Sequence, residues 1–361
     1  MCPVRSGGSG TKGVILLQDT KRHPLEAVRL VLLLLAAALL LGPGATARAA
    51  ETRYVIPMGS AVGIKLFSDG ILVVGFTDVA TEDGPANPAR DGGLKAGDVI
   101  TRMEGQEVSS IEEVQDILSR DGDHDVDLHV RRDGEEKDLT IRAVRCSADG
   151  AYKLGAWIRD SMAGVGTLTF ADPVTGLFGT LGHGVNDADT AVLMELQSGA
   201  VTPASVAGVV KGEDGRPGEL RGAFPSDAEL GTLFANTEQG VFGYLTDPGS
   251  LTGETVPVAE PDQVHPGPAV ILANVSGTEV AQYDAEILKV FDRAADARDL
   301  MLKVTDKRLL AKTGGIVQGM SGSPILQDGR LVGAVTHVLI DHADRGYGIL
   351  AAHMLEAAEN G

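Results

Sequence analysis

The chain has 361 residues, 43% of them hydrophobic but only 4% aromatic, with 47 glycines and two cysteines. That length suggests two domains, and abundant glycine with few aromatics favours short strands and tight turns over a helix bundle. The formal net charge is −19, and a surface so acidic repels phosphate backbones, which argues against a nucleic-acid partner.

Residues 1–50 run against that balance, with six basic side chains (Arg5, Lys12, Lys21, Arg22, Arg29, Arg48) and two acidic ones (Asp19, Glu26). Lys21, Arg22 and Arg29 precede a run of twelve apolar residues, Leu30–Leu41. A spanning helix needs about 20, so the run has the length of a signal-peptide core. Pro43 and Gly44 end it, and Ala47-Arg48-Ala49 offers a small-x-small cleavage pattern. Residues 1–50 are expected to export the body of the chain, as a cleaved signal peptide or as a retained membrane anchor. Gly7–Lys12 has the wrong spacing for a phosphate loop, and no strand precedes it.

Residues 51–146 read as a small β-rich module. Tyr54–Leu66 is a glycine-containing loop entering a strand, and Ile71–Phe76 is a second strand. Asp91–Ile100 is a turn leading into a third. Ser110 lies three residues before Glu113, and Ile111, Val114, Ile117 and Leu118 fall on one helical face. Asp125–Arg131 and Lys137–Val144 alternate about Asp133-Gly134, a hairpin signal. Asp121, Asp123, Asp125 and Asp127 invite a calcium reading, but neither register places Gly at position 6 and Glu at position 12. With Cys2 in the export segment, Cys146 has no internal disulfide partner to expect. It reads as a small linker or strand residue.

Residues 150–361 form the second body. Short apolar runs recur at Gly164–Phe170, Leu177–Leu181, Ala204–Val210, Val241–Leu245 and Ala269–Val275, a spacing that suggests an antiparallel barrel or sandwich. One helix is expected at Ala285–Leu302. The fold class expected is therefore mostly β, with one or two helices in the first domain.

The strongest signal is Gln318-Gly-Met-Ser-Gly-Ser-Pro-Ile325. A serine nucleophile must be lifted out on a tight turn, and glycines beside it let backbone approach the substrate carbonyl. The amides of Gly319 and Ser321 can then form an oxyanion hole. Ser321 has glycine two before it and one after, whereas Ser323 is followed by Pro324, which has no N–H to offer. The base expected is His183, flanked by glycines at the end of an apolar strand and 138 residues before Ser321. His337, on the strand after the serine hairpin, is the rival base and otherwise lines the groove. No metal-ligand spacing appears, so no cofactor is expected.

The Gly93–Ile100 segment and its element order resemble a bacterial PDZ domain of the kind attached to proteases. That resemblance implies that the loop at Ser60, Val62, Gly63 and Ile64 receives a peptide carboxylate, with the peptide C-terminus adding as a strand beside Gly63–Leu66. Leu181-Gly-His-Gly184, Thr313–Ile325 and Gly333–Val338, with the PDZ-before-peptidase order, are similar to the stage IV sporulation protein B peptidase family. Most chymotrypsin-like enzymes have Asp where this chain has Met320, so activation by a newly cut N-terminus is out of reach. The family resemblance implies Asp306, fifteen residues before Ser321, as the third triad member orienting His183. It also implies an exported serine endopeptidase, acting between forespore and mother cell. Such an enzyme cuts itself and then a membrane-bound regulator, triggering pro-sigma-K activation. Two other classes stay open: a general envelope quality-control protease and a non-enzymatic PDZ adaptor.

Overall fold

The computed structural model describes residues 52–224, 228–291 and 297–361; the export segment read at 1–50 lies outside them. Alternation of apolar and polar residues along the strands builds two six-stranded rings. In the first, Ala61–Phe76 pairs with Ala156–Ala171, and the ring continues through Leu177–Thr180, Gly240–Leu245, Gly231–Thr237 and Leu196–Pro203 back to Ala61–Phe76. Val62, Ile64, Leu66, Leu168, Phe178, Val201 and Val241 fill it. The second is a closed barrel of Gly267–Asn274, Val280–Val290, Leu300–Val304, His342–Leu350, Arg330–Leu339 and Pro324–Gln327. Its interior holds Ile271, Ile287, Leu302, Ile325 and Val335. Each such side chain contributes about 1.5–3 kcal/mol on burial.

Among the described residues, the helix expected at Ala285–Leu302 gives way to strands. Val280–Val290 and Leu300–Val304 are antiparallel strands. Ala, Glu and Leu favour helix locally, but Tyr283, Ala285 and Ile287 are buried while Asp284 and Glu286 between them are exposed. Barrel pairing decides between a two-residue and a 3.6-residue period that this short run cannot separate by itself.

The small β-rich module has the expected parts. Helix Ile111–Asp121 begins in a Ser110–Glu113 capping box and buries Val114, Ile117 and Leu118. Asp133 and Gly134 both have positive φ, 53° and 79°, and join the paired strands Asp125–Arg132 and Glu135–Arg142. Two positive-φ residues in a two-residue loop match the right-handed strand twist.

The boundary between the modules differs from the expected cut at 146–150. Ala61–Phe76 and Ala156–Ala171 are each 16 residues long. They pair from Ala61 opposite Thr167 to Phe76 opposite Ala156. One half of this ribbon, with Val62, Ile64 and Leu66, belongs to the first barrel; the other, with Ile71 and Val73, belongs to the PDZ-like core. The small module is thus inserted into a barrel hairpin, and residues 54–68 belong to the peptidase side.

A third cluster joins the two barrels. Phe170 and Phe242 of the first, Leu331, Ala334 and Ile349 of the second, and Met354 and Leu355 of helix Ala351–Asn360 pack together. The terminal helix thereby fixes the barrels about a cleft.

Candidate active site

The turn after Gln318 is shaped by two glycines with φ of 92° and 94°, Gly319 and Gly322. A Cβ on Gly322 would stand 2.1 Å from the Thr167 carbonyl oxygen, so only glycine fits. The turn's carbonyls face the first barrel. Thr167 donates from Oγ1 to Gly319 O at 2.8 Å and from its amide to Ser321 O at 3.0 Å. Thr169 Oγ1 donates to Gly322 O at 2.8 Å. Gly322 N donates to Val335 O and Ser323 N to Met320 O, at 2.8 and 2.9 Å. The amides of Gly319 and Ser321 donate to no group among the described residues. An oxyanion hole requires two such unengaged backbone donors.

Ser321 lines a cleft of about 520 Å³ together with Gly319, His183, Thr336 and His337. Its Oγ donates to Thr336 O at 2.8 Å. Ser323 is completely buried, and its hydroxyl finds no partner among the described residues. Of the two serines in the motif, Ser321 is the one that borders this cleft.

His183 follows a turn in which Leu181 and Gly182 have φ of 68° and 71°. A Cβ on Gly182 would press to 2.9 Å on Ile349 of the second barrel, so this glycine lets the barrels close at the histidine. His183 Nδ1 lies 2.8 Å from the carbonyl oxygen of Gly184. A carbonyl only accepts, so Nδ1 carries the hydrogen and Nε2 keeps its lone pair, the tautomer of a general base. Burial lowers the pKa of His183 below its ordinary value, and the Gly184 carbonyl opposes that shift. The His337 ring lies 5.1 Å away, tilted by 39°. Asn236 holds the segment beyond His183, accepting from Val185 N at 2.8 Å and donating to Val185 O and Met194 O at 3.0 and 2.7 Å.

Asp306 is placed elsewhere. It caps helix Lys307–Thr313, accepting from Arg308 N at 2.7 Å and Leu309 N at 3.3 Å. The Arg308 guanidinium reaches it at 2.7 Å and Asp284 N at 3.4 Å. The Arg308 side chain and these amides hold the carboxyl far below the usual carboxylate range. None of its hydrogen bonds or ion pairs reaches His183. The expected third triad member is, in this structure, an N-cap.

The expected peptide loop is also corrected. Val62, Gly63 and Ile64 pair with Gly166, Val165 and Gly164 on one side and with Pro203, Thr202 and Val201 on the other. Ser60 O accepts from Leu168 N at 2.9 Å. With both edges taken, no incoming strand can add there. An open edge lies instead on Ala156–Asp160, whose second side pairs with no strand among the described residues. Helix Ile111–Asp121 runs beside it. Asp160 accepts from Ile111 N at 3.0 Å, and Gly122 past the helix end abuts Tyr152.

Thr167, Thr336 and Asn236 shape the site through strand register and backbone contacts, which leave no local motif to read. The SpoIVB peptidase S55 family model matches residues 150–355, and a PDZ domain model matches 69–142. No curated protein sequence matches this one. Among solved structures, the PDZ domain of an SdrC-like protein from Listeria monocytogenes is 23% identical. It covers 25% of this chain and 87% of its own, with a TM-score of 0.21. The inactive form of the M. tuberculosis Rv3671c protease is 17% identical over 55% of this chain and 84% of its own, with a TM-score of 0.32.

Proposed function

The chain belongs to the SpoIVB peptidase S55 family and is a serine endopeptidase with a PDZ domain; from that premise we propose that it is the exported protease of a sporulation signal. In this reading it cuts itself and then a membrane-bound regulator in the space between forespore and mother cell. That second cut triggers pro-sigma-K activation. The basic flank and apolar run of residues 1–50 support export.

The observation that carries the chemistry is one cleft shared by Ser321, by His183 with its Nδ1 tied back, and by the unused amide of Gly319. Ser321 Oγ swings off the Thr336 carbonyl and gives its proton to His183 Nε2. The oxygen attacks the scissile carbonyl, and the amides of Gly319 and Ser321 take the oxyanion. Loss of one such donor typically costs about 10²–10³ in rate. His183 returns the proton to the leaving amine, and water repeats the sequence on the acyl-enzyme. The open edge of Ala156–Asp160 beside helix Ile111–Asp121 is the place for a peptide strand from the substrate.

The test is the purified full chain with a fluorophosphonate probe and a vesicle-reconstituted membrane regulator. Labelling at Ser321, self-cleavage and regulator cleavage that all vanish in Ser321→Ala are expected. Cleavage of unfolded proteins at large with the regulator spared would move the function to envelope quality control. Absence of labelling and cleavage in the wild type would leave a PDZ adaptor.

A further inference from the structure

Where the scissile carbonyl must sit also says which side chain precedes the cut. The carbonyl carbon meets Ser321 Oγ, and its oxygen meets the amides of Gly319 and Ser321. The side chain of the residue owning that carbonyl branches one bond away. It therefore enters the space between the nucleophile turn and the strand bearing Thr336, the two segments that flank Ser321.

That space is mainly apolar, although Gln318 and His337 also line it. Ile316 and Val317 come from the turn side, and Val338 and Ile340 from the strand side. Ile316 is 2% exposed, whereas Ile340 is 60% exposed. Behind Ile316 stands Gly346, where a Cβ would approach Ile316 Cδ1 to 2.6 Å. The isoleucine thus fills the volume at its back and closes the pocket instead of leaving a deep hole. Among the described residues, no Asp, Glu, Lys or Arg lines the cleft; His183 and His337 are its titratable side chains. An ionised side chain entering there would lose water and meet no opposite charge.

We propose that the enzyme cuts after a medium-sized apolar residue such as valine, leucine or methionine, with Ile316, Val338 and Ile340 as the specificity-determining side chains. The proposal rests on the serine-peptidase reading above. A hydrophobic pocket discriminates weakly between apolar residues, by about 10–200-fold per methylene. Rejection of charged residues is stronger, because their burial leaves them unpaired.

The experiment digests a peptide library with the full-length protein, after fluorophosphonate labelling has counted active serines. Expected are cuts after Val, Leu and Met, with rates after Lys, Arg, Asp or Glu lower by about 10²-fold or more. Val338→Asp and Ile340→Asp place a carboxylate at the rim and are expected to bring in cuts after Lys and Arg. They are used in place of a change at buried Ile316, which risks the fold. Normal labelling with cuts after charged residues in the wild type overturns the proposal and leaves the peptidase reading standing. An unchanged preference in both well-labelled variants removes Val338 and Ile340 from the pocket. No labelling of the wild type overturns the underlying reading and this proposal with it.

Discussion

Arg159, on the half of its strand that belongs to the PDZ insert, forms an ion pair with the buried carboxylate of Asp187, four residues beyond His183. Its other terminal nitrogen reaches Asp189 at 3.0 Å. The second oxygen of Asp187 accepts from Asp189 N, Thr190 N and Thr190 Oγ1 at 3.0, 2.9 and 3.0 Å. One arginine thus anchors the whole turn that leaves the candidate base. Arg131 adds a second tie from the insert, to Glu195.

Arg159→Gln is therefore expected to loosen the segment after His183. The pair is partly solvated on the arginine side, so a loss of about 1–3 kcal/mol is expected. Labelling of Ser321 should slow in the molecules that remain folded. The double variant Arg159→Gln/Asp187→Asn should cost less than the sum of the single ones. Thermal melts and labelling rates measure both, and strict additivity would show that the pair does not act as a unit.

Ser321→Ala is expected to abolish labelling and cleavage. Ser323→Ala removes a fully buried hydroxyl that has no hydrogen-bond partner among the described residues. Its stability should be unchanged or slightly raised, with labelling retained. Loss of labelling in a fully folded Ser323→Ala protein would reverse the assignment.

The His183 imidazole is held below its ordinary pKa of 6.5 by burial. Turnover should consequently persist below the pH at which a solvent-exposed histidine is half protonated, then fall as His183 takes a proton. Linkage gives the sign for stability. Below pH 6.5 the unfolded chain binds a proton that the folded chain still refuses. This group's contribution therefore weakens as pH falls from 6.5 to the lower folded value, and is complete above 6.5. The acid limb of the kcat/KM profile is the measurement; a limb above 6.5 contradicts the assignment.

Asp306 separates the sequence resemblance from the geometry. Asparagine is nearly as good an N-cap as aspartate, so Asp306→Asn should keep labelling per folded molecule, with a modest loss from the Arg308 pair. Asp306→Ala should lose about 1 kcal/mol or more of stability through the cap. Asp306→Asn protein with a wild-type melt and no labelling would instead place this carboxylate in the triad.

In sequence, Gly63 is the natural place to block a docked peptide, and the structure changes that expectation. A Cβ there would stand 2.6 Å from both the Phe224 ring and Thr202 Oγ1. Gly63→Glu should therefore damage the first barrel and depress labelling and regulator cleavage together. Selective loss of regulator cleavage alone would restore the peptide-loop reading.

The Ser110–Glu113 cap, the Asp133-Gly134 turn and the glycines around Ser321 and His183 each act within a few residues, so the sequence shows them directly. Gly63 in Ser-Ala-Val-Gly-Ile-Lys-Leu has the local form of a peptide-binding loop. Its flanking strands are set by Val165 and Thr202, far along the chain, and short patterns carry no such register. Asp306 is ambiguous for the same reason: Thr-Asp-Lys-Arg fits a cap or a catalytic carboxylate until the surrounding donors are known.

The ribbon of Ala61–Phe76 and Ala156–Ala171 imposes an order of assembly. The first barrel cannot close until Ala61 meets Thr167, and bringing such distant segments together carries a loop-closure entropy. The insert between them can remove most of that cost by folding first, since its own sheet already aligns Leu72–Phe76 with Ala156–Arg159. It would then act as a clasp that presents two staves of the barrel in register. A fragment beginning at residue 150 carries the serine and the histidine but lacks one of those staves. Such a fragment would emerge with an unzipped wall, a bare strand edge prone to aggregation, and no cleft in which Ser321 could face His183.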